Sequence, residues 1–383
     1  ALTARGLQTL LIDQHAEAKS NDAIAFDIKH LKPKLVVLVI YGHQPSASTQ
    51  TMQAAHELLE VMRERDLYTP VMLVGGHPSA LPEETLLKEV YSPLMVAKGE
   101  GLNPIIRYVQ NELNIFGLYR RDTVPKYQDT KADNLDATFP GIDWAGLPMT
   151  KYRAHNWHVL EKPETINSYA AIYTSLGCPF KCSFCCINAP FDSNSFRYWS
   201  PKHTVNQIET LSKKYGIQNL KIADEMFVLR ESHFLEICKE LIYRRIKINI
   251  WAYARVDTVK PSYLDALKQA GVNWLALGIE SGSQHVRDGV TKGRFKVDDI
   301  HKTVKAIQSA GINVIGNYIF GLPDDTEESM KETLDMAVEL NCEFANFYSE
   351  MAYTGSALYT QTPKEDLPEN YLVLKHSLLY YLV

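Results

Sequence analysis

Three cysteines set within eight residues, Cys178, Cys182 and Cys185, are the most chemically pointed stretch of this 383-residue chain. Three residues separate the first pair and two the second, in Cys178-Pro-Phe-Lys-Cys182-Ser-Phe-Cys185. Thiolate is a soft ligand suited to zinc or to iron–sulfur clusters. A closed zinc site takes four protein ligands, and a four-iron cluster has four irons to ligate. Three cysteines therefore point to a cluster with one iron left for a ligand that is not protein. The competing reading is a zinc knuckle that also uses Cys186. Adjacent cysteines reach one tetrahedral ion poorly, and no second ligand pair stands nearby. Disulfides belong to oxidising compartments, and no secretion signal is read in this sequence. Cys238 and Cys342 fall in helix-like and strand-like segments and read as small buried hydrophobes.

Polar residues also gather at the ends of apolar, β-branched runs. Asp224 and Glu225 close one such run, and an acidic pair there can accept an ammonium group. Arg255 follows another and either meets a carboxylate of a ligand or pairs with Asp257. Glu280 and Ser281 end a third. Asn317 lies in a fourth. Lys292 reads as a solvated lysine.

These positions need elements to hold them. From Tyr169 onward, six strand-like runs alternate with helix-like segments, the expected pattern of a partial parallel barrel with its chemistry at the carboxyl rim. The strands are Tyr169–Ser175, Leu220–Ala223, Ile248–Ala254, Trp274–Ile279, Asn313–Phe320 and Glu343–Tyr348. Residues 1–113 show their own strand–loop–helix repeats, with strands at 7–13, 34–42, 70–74 and 94–97. That pattern predicts a doubly wound, Rossmann-like parallel sheet, with a ligand beyond the carboxyl ends of its strands. Those ends carry Ser46, Ser48 and Thr49, then Gly75 and Gly76, then Gly99, Glu100 and Gly101. Glycines there allow close backbone approach to a bulky ligand, and the hydroxyls supply hydrogen bonds. His43 and His77 read as loop contacts. Residues 114–168 read as a linker. Its segment Tyr152–His158, dense in aromatics, reads either as a packed connector or as a face toward a ligand. The second domain is expected over 169–362, and 363–383 as the start of a truncated extension.

The cysteine spacing, with Phe184 just before the third cysteine, resembles the radical S-adenosylmethionine (SAM) superfamily. The phrases Gly278-Ile-Glu-Ser-Gly282 and Gly321-Leu-Pro-Asp-Asp325 resemble it too, as does the acidic pair at 224–225, although the usual glycines of that motif are missing. The resemblance implies a [4Fe-4S] cluster on Cys178, Cys182 and Cys185 whose open iron chelates SAM, and reductive formation of a 5′-deoxyadenosyl radical. It implies that Phe184 lies on the adenine side, that Asp224 or Glu225 holds the amino group, and that Arg255, Glu280, Ser281 and Asn317 contact SAM. It also implies an electron donor such as flavodoxin or ferredoxin. The stretches Val74-Gly-Gly-His-Pro-Ser-Ala-Leu-Pro-Glu-Glu-Thr-Leu86 and Ala97-Lys-Gly-Glu-Gly101 resemble the cobalamin-binding domain that precedes many radical SAM domains. That places Ser46, Ser48, Thr49, Gly75, Gly76, Gly99, Glu100 and Gly101 at cobalamin, with the first strand and helix of that domain missing and no cobalt ligand assigned.

Composition narrows the function classes. A net charge of −5 argues against a general nucleic-acid binder. The longest apolar runs, such as 35–41, are too short to span a bilayer, and a reducing cytoplasm is the expected compartment. The expectation is a cobalamin-dependent radical SAM methyltransferase acting on an unactivated carbon of a small metabolite. A cyclase or rearrangement enzyme without methyl transfer is the alternative, and a non-catalytic cobalamin or metal sensor a further one. A methylthiotransferase needs about three more cysteines for a second cluster, and only Cys186, Cys238 and Cys342 remain.

Overall fold

The fold was analysed in a computed structural model, which describes residues 1–41, 47–121, 123, 131–191, 193–293 and 295–367. Two sheets organise it. The first runs in the order β1 (Val36–Ile40), β2 (Val71–Gly75), β3 (Leu94–Ala97), β4 (Leu118–Tyr119). β1, β2 and β3 pair in parallel, and β4 adds antiparallel to β3. Both faces are covered, which is why β2 and β3 read as unbroken apolar runs. One face packs on helices Asn21–Leu31 and Ala47–Glu64 through Ile24, Ile28, Leu58, Leu59 and Met62. The other packs on helix Leu102–Val109 through Ile105 and Tyr108.

Residues 7–13 form no strand. The apolar run there resembles a buried strand, but Leu10 and Leu11 are largely exposed. Among the described residues, β1 is the edge of the sheet, with Val39 facing solvent. The opening segment contains a single 3-10 turn, Thr3–Arg5.

The second sheet has six parallel strands. They are β5 (Tyr169–Ile172), β8 (Asn219–Ile222), β9 (Asn249–Arg255), β10 (Val272–Glu280), β11 (Asn313–Phe320) and β12 (Phe344–Ser349), ordered β12-β11-β10-β9-β8-β5. A small antiparallel pair, β6 (Ser175–Leu176) with β7 (Arg197–Tyr198), brackets the cysteine loop. Helices follow the strands, as parallel connections require. The strand period of two sorts the side chains. On β9, Ile250, Ala252 and Ala254 join the helix-side core, while Trp251 and Tyr253 face the concave side. On β10, Leu275, Leu277 and Ile279 go to the helices, and Trp274 and Ala276 to the concave side. That arithmetic carries Arg255, Glu280 and Asn317 to the concave rim.

The aromatic connector fills the deep part of this concave face. The Trp157 ring lies 5.2 Å from Trp251, 5.1 Å from Trp274 and 6.0 Å from Phe344, and His155 stacks on it at 5.3 Å. Within residues 152–158, Trp157 and His158 are packed here, while His155 and Asn156 remain exposed. No helix among the described residues is long and apolar enough to cross a membrane.

Candidate active site between two cavities

Cys178, Cys182 and Cys185 line one cavity of about 460 Å³ at the carboxyl rim of the second sheet, with Phe180, Phe184, Glu225, Arg255, Glu280, Lys292 and Asn317 among the other walls. The loop that carries them is fixed at several points. Asn188 Nδ2 donates to the Cys178 carbonyl (3.1 Å), the Ser183 N–H donates to the Val290 carbonyl (3.1 Å), and Thr291 Oγ1 donates to the Lys181 carbonyl (2.6 Å). Burial pushes the Cys178 thiol up to about 11 and the Cys185 thiol well above its ordinary value. A bound iron would offset that cost by its own charge. No three His, Cys, Asp or Glu side chains among the described residues are grouped for a single metal ion.

The strand ends divide their work in ways the sequence left open. Asp224 is buried and turned away from the cavity. Its carboxylate accepts from the Thr174 N–H (2.6 Å), Thr174 Oγ1 (2.5 Å) and Ser175 Oγ (2.6 Å). Those three donors occupy it as a brace for the β5–β6 turn, which corrects its expected role at SAM. Glu225 lines the cavity, and burial raises its carboxyl to about 7, with the Lys221 ammonium pulling the other way. Ser281 is likewise corrected. It is fully buried, its Oγ lies 3.2 Å from Thr333 Oγ1 on helix Glu327–Leu340, and it accepts from the Ser283 N–H.

Glu280 does face the cavity, at a register shift in β10 and with φ 67°. A non-glycine residue in the left-handed region stores strain, and a bulge at a strand end re-aims the side chain. Lys292, read from the sequence as solvated, is buried and forms an ion pair with Glu280 at 2.6 Å. Arg255 pairs with Asp257 at 2.8 Å, lies 3.6 Å from Cys182 Sγ, and stacks 3.8 Å above the Phe180 ring. Asn317 donates to the Leu277 carbonyl and accepts from Asn346 Nδ2 (2.9 Å). Phe184 packs with Ile319, Val286, Val290 and Leu322.

A second cavity, about 480 Å³ and mostly apolar, lies between the carboxyl ends of the first sheet and the second domain. Of the residues expected at cobalamin, Ser48, Gly76 and Glu100 line it. The Ser48 hydroxyl donates to the Ile40 carbonyl and accepts from the His77 N–H (2.9 Å). The Glu100 carboxylate is engaged by Arg197 and by the Ala132 N–H (2.9 Å). These two therefore shape the wall more than they offer free polar groups. Gly75 and Gly101 do not line it, and a Cβ there would fall 2.0 Å from the Ile40 carbonyl oxygen and 2.4 Å from Val74. Their lack of a side chain serves the packing of the sheet itself. The Gly99 N–H is bonded to Ser79 Oγ (3.1 Å) away from the cavity, and Thr49 is bonded to His77 and Thr354. Ser46 and His43 lie outside the described residues. Sequence reasoning missed Tyr41, Phe139, Ile142, Phe191 and Trp199 in this wall. Apart from the near neighbours Phe139 and Ile142 they come from separate places in the chain, and no local motif marks them.

The two cavities adjoin, because Cys186, Ile187 and Glu225 line both. Residues 172–337 match the radical SAM superfamily. The chain carries a radical SAM domain. The chain is 27% identical over 359 residues to a protein of Pyrococcus horikoshii named an uncharacterized methyltransferase, covering 91% of this chain and 73% of that protein. It is 26% identical over 379 residues to the anaerobic magnesium-protoporphyrin IX monomethyl ester cyclase of Rubrivivax gelatinosus, covering 94% of this chain and 62% of the cyclase. Among solved structures, the radical SAM methyltransferase TsrM from Kitasatospora setae, with cobalamin and a [4Fe-4S] cluster bound, superposes with a TM-score of 0.73 at 17% identity, over 93% of this chain and 69% of TsrM. The cobalamin-dependent radical enzyme OxsB superposes with a TM-score of 0.64 at 20% identity, over 85% of this chain and 46% of OxsB. The radical SAM domain and the sheet before it thus share the two-domain fold of both proteins.

Proposed function

We propose that this chain belongs to a cobalamin-dependent radical SAM enzyme that methylates an unactivated carbon of a small molecule. The observation that carries the reading is the common wall of the two cavities, Cys186, Ile187 and Glu225. It puts the cysteine site and the apolar interdomain site side by side, with room between them for a substrate to meet both cofactors. Relatives named methyltransferases support it.

In this reading Cys178, Cys182 and Cys185 hold the cluster. When bound, the cluster supplies an open iron for the amino and carboxylate groups of SAM and the electron that opens a carbon–sulfur bond, while cobalamin supplies the methyl carrier. The chain's own residues bind and orient. Glu225 accepts from the SAM ammonium. Arg255, held by Asp257, brings positive charge beside Cys182. Glu280, fixed by Lys292, and Asn317 offer acceptors and a donor to the ribose side, and Phe184 with Ile319 packs against the adenine. The walls around Tyr41, Phe139 and Trp199 exclude water from the cobalamin side. An external one-electron donor of the flavodoxin or ferredoxin kind completes the turnover.

The cyclase among the relatives favours a second reading, radical chemistry without methyl transfer. Anaerobically reconstituted protein, given cobalamin, SAM and dithionite, separates the two by mass spectrometry. Methyl transfer yields both 5′-deoxyadenosine and S-adenosylhomocysteine, whereas rearrangement yields deoxyadenosine alone. If neither forms from cluster-loaded protein, both readings fail and a sensor role takes their place. A Cys182→Ala control shows whether product came from the cluster.

A further inference from the structure

Glu350 lies just past β12 and lines the cluster cavity. Its Oε1 is buried and has no hydrogen-bond partner among the described residues. Burial alone pushes its carboxyl up to about 7, with no neighbouring cation opposing the shift. Of the other charged groups of that wall, Glu280 pairs with Lys292 and Arg255 with Asp257, while Glu225 faces the cavity. An unpartnered buried acceptor is rare in a folded protein, and a bound ligand is one of the few things that explains it.

The surroundings say what kind of ligand. The Glu350 N–H donates to the Phe320 carbonyl at 2.7 Å, which pins this residue beside the end of β11. Ile319, the residue before Phe320, packs with Phe184, and both line the same cavity together with Met351 and Tyr353. An apolar slot with one acceptor at its edge suits a flat heterocycle that carries an N–H donor on its rim. We propose that Glu350 accepts a hydrogen bond from the 6-amino group of the SAM adenine and so selects adenosine over 6-oxo nucleosides. The proposal rests on the SAM-binding reading above.

A 6-oxo purine would set its carbonyl oxygen against the Glu350 carboxylate, acceptor against acceptor. Leaving a buried hydrogen-bonding group unpaired is strongly discriminating. The test measures binding of S-adenosylhomocysteine and S-inosylhomocysteine to cluster-loaded protein by equilibrium dialysis. At about pH 8.5, where the Glu350 carboxyl is ionised, the wild type is expected to prefer the adenosyl compound by roughly 10- to 100-fold, and below about pH 7, where the protonated carboxyl can donate to the 6-oxo group, the preference should shrink. Glu350→Gln keeps the shape, but its amide can either accept from the amine or donate to the 6-oxo group, so the preference should collapse. An unchanged ratio in Glu350→Gln, or no preference in the wild type, overturns the proposal while leaving SAM binding in place. An unchanged ratio would also give Glu350 to a donor on the substrate instead. Binding of neither compound to the wild type overturns the SAM reading, and this proposal with it.

Discussion

Asp224 and Glu225 are neighbours in sequence, and the structure predicts opposite consequences for losing them. Asp224→Ala removes the acceptor of three donors, the Thr174 N–H, Thr174 Oγ1 and Ser175 Oγ. The hydroxyls can turn to other partners, but the backbone N–H cannot. An unpaired buried polar group costs about 1–3 kcal/mol, so the whole change should destabilise by about 2–5 kcal/mol. At this chain length that is a fall in Tm of roughly 2–6 °C, read by anaerobic thermal unfolding. SAM affinity of the protein that remains folded should be nearly unchanged. Glu225→Gln should do the reverse. Burial already disfavours its ionised form, so Tm should hold or rise, and SAM affinity should fall roughly 10- to 100-fold. The two acids also separate by pH. Burial pushes the Asp224 carboxyl up to about 6, so the folded chain holds that proton to a higher pH than the unfolded chain. Its contribution to stability is full below about pH 4 and is lost as pH rises through about 6, a decline of about 3 kcal/mol at about 1.4 kcal/mol per pH unit. Asp224→Asn should flatten the fall in Tm between pH 4 and 6 relative to wild type. Loss of SAM binding in Asp224→Ala with an unchanged Tm would refute this division of roles.

Other perturbations test the remaining geometry. Lys292→Met strands the buried Glu280 carboxylate and should destabilise by about 3–5 kcal/mol. The double variant with Glu280→Gln should recover most of that in denaturant unfolding, and failure to recover would mean that the pair does not act as one unit. Thr354 ties the two domains through Thr49 Oγ1 (3.1 Å) and His77 Nδ1 (3.1 Å). Thr354→Val should cost about 1–2 kcal/mol and speed proteolysis between the domains, while Thr354→Ser restores resistance. Gly355 has φ 86°, and a Cβ there would fall 2.5 Å from Ala189 Cβ beside the cysteine loop. Gly355→Val should therefore lower iron incorporation even with all three cysteines present, as measured by iron analysis and cluster absorbance.

Much of this site was legible because the superfamily's chemistry is written locally. The Cys178–Cys185 spacing pointed to a cluster, and strand-end positions gathered Glu225, Arg255, Glu280 and Asn317 on one rim. The alternation that carries Phe344, Asn346 and Tyr348 also points on to Glu350, a signal present in the sequence but masked by the absence of any motif there. Residues 7–13 misled for the opposite reason. Their composition suits a strand, but a strand exists only where a neighbour accepts its hydrogen bonds, and composition does not report neighbours.

The sequence by itself determined the grouping of three cysteines in one loop, the order of strands and helices in the radical domain, and the side of each strand that faces the cavity, because these follow from spacing and from a period of two. Only the tertiary structure decided which member of each polar pair is free. Asp224 and Glu225 are equivalent as text. Three donors from a turn some fifty residues earlier make one a brace and leave the other to line the cavity. The interdomain wall was decided in the same way. Tyr41, Phe139 and Trp199 meet there because two sheets dock, and contacts of that separation leave no trace in a linear pattern.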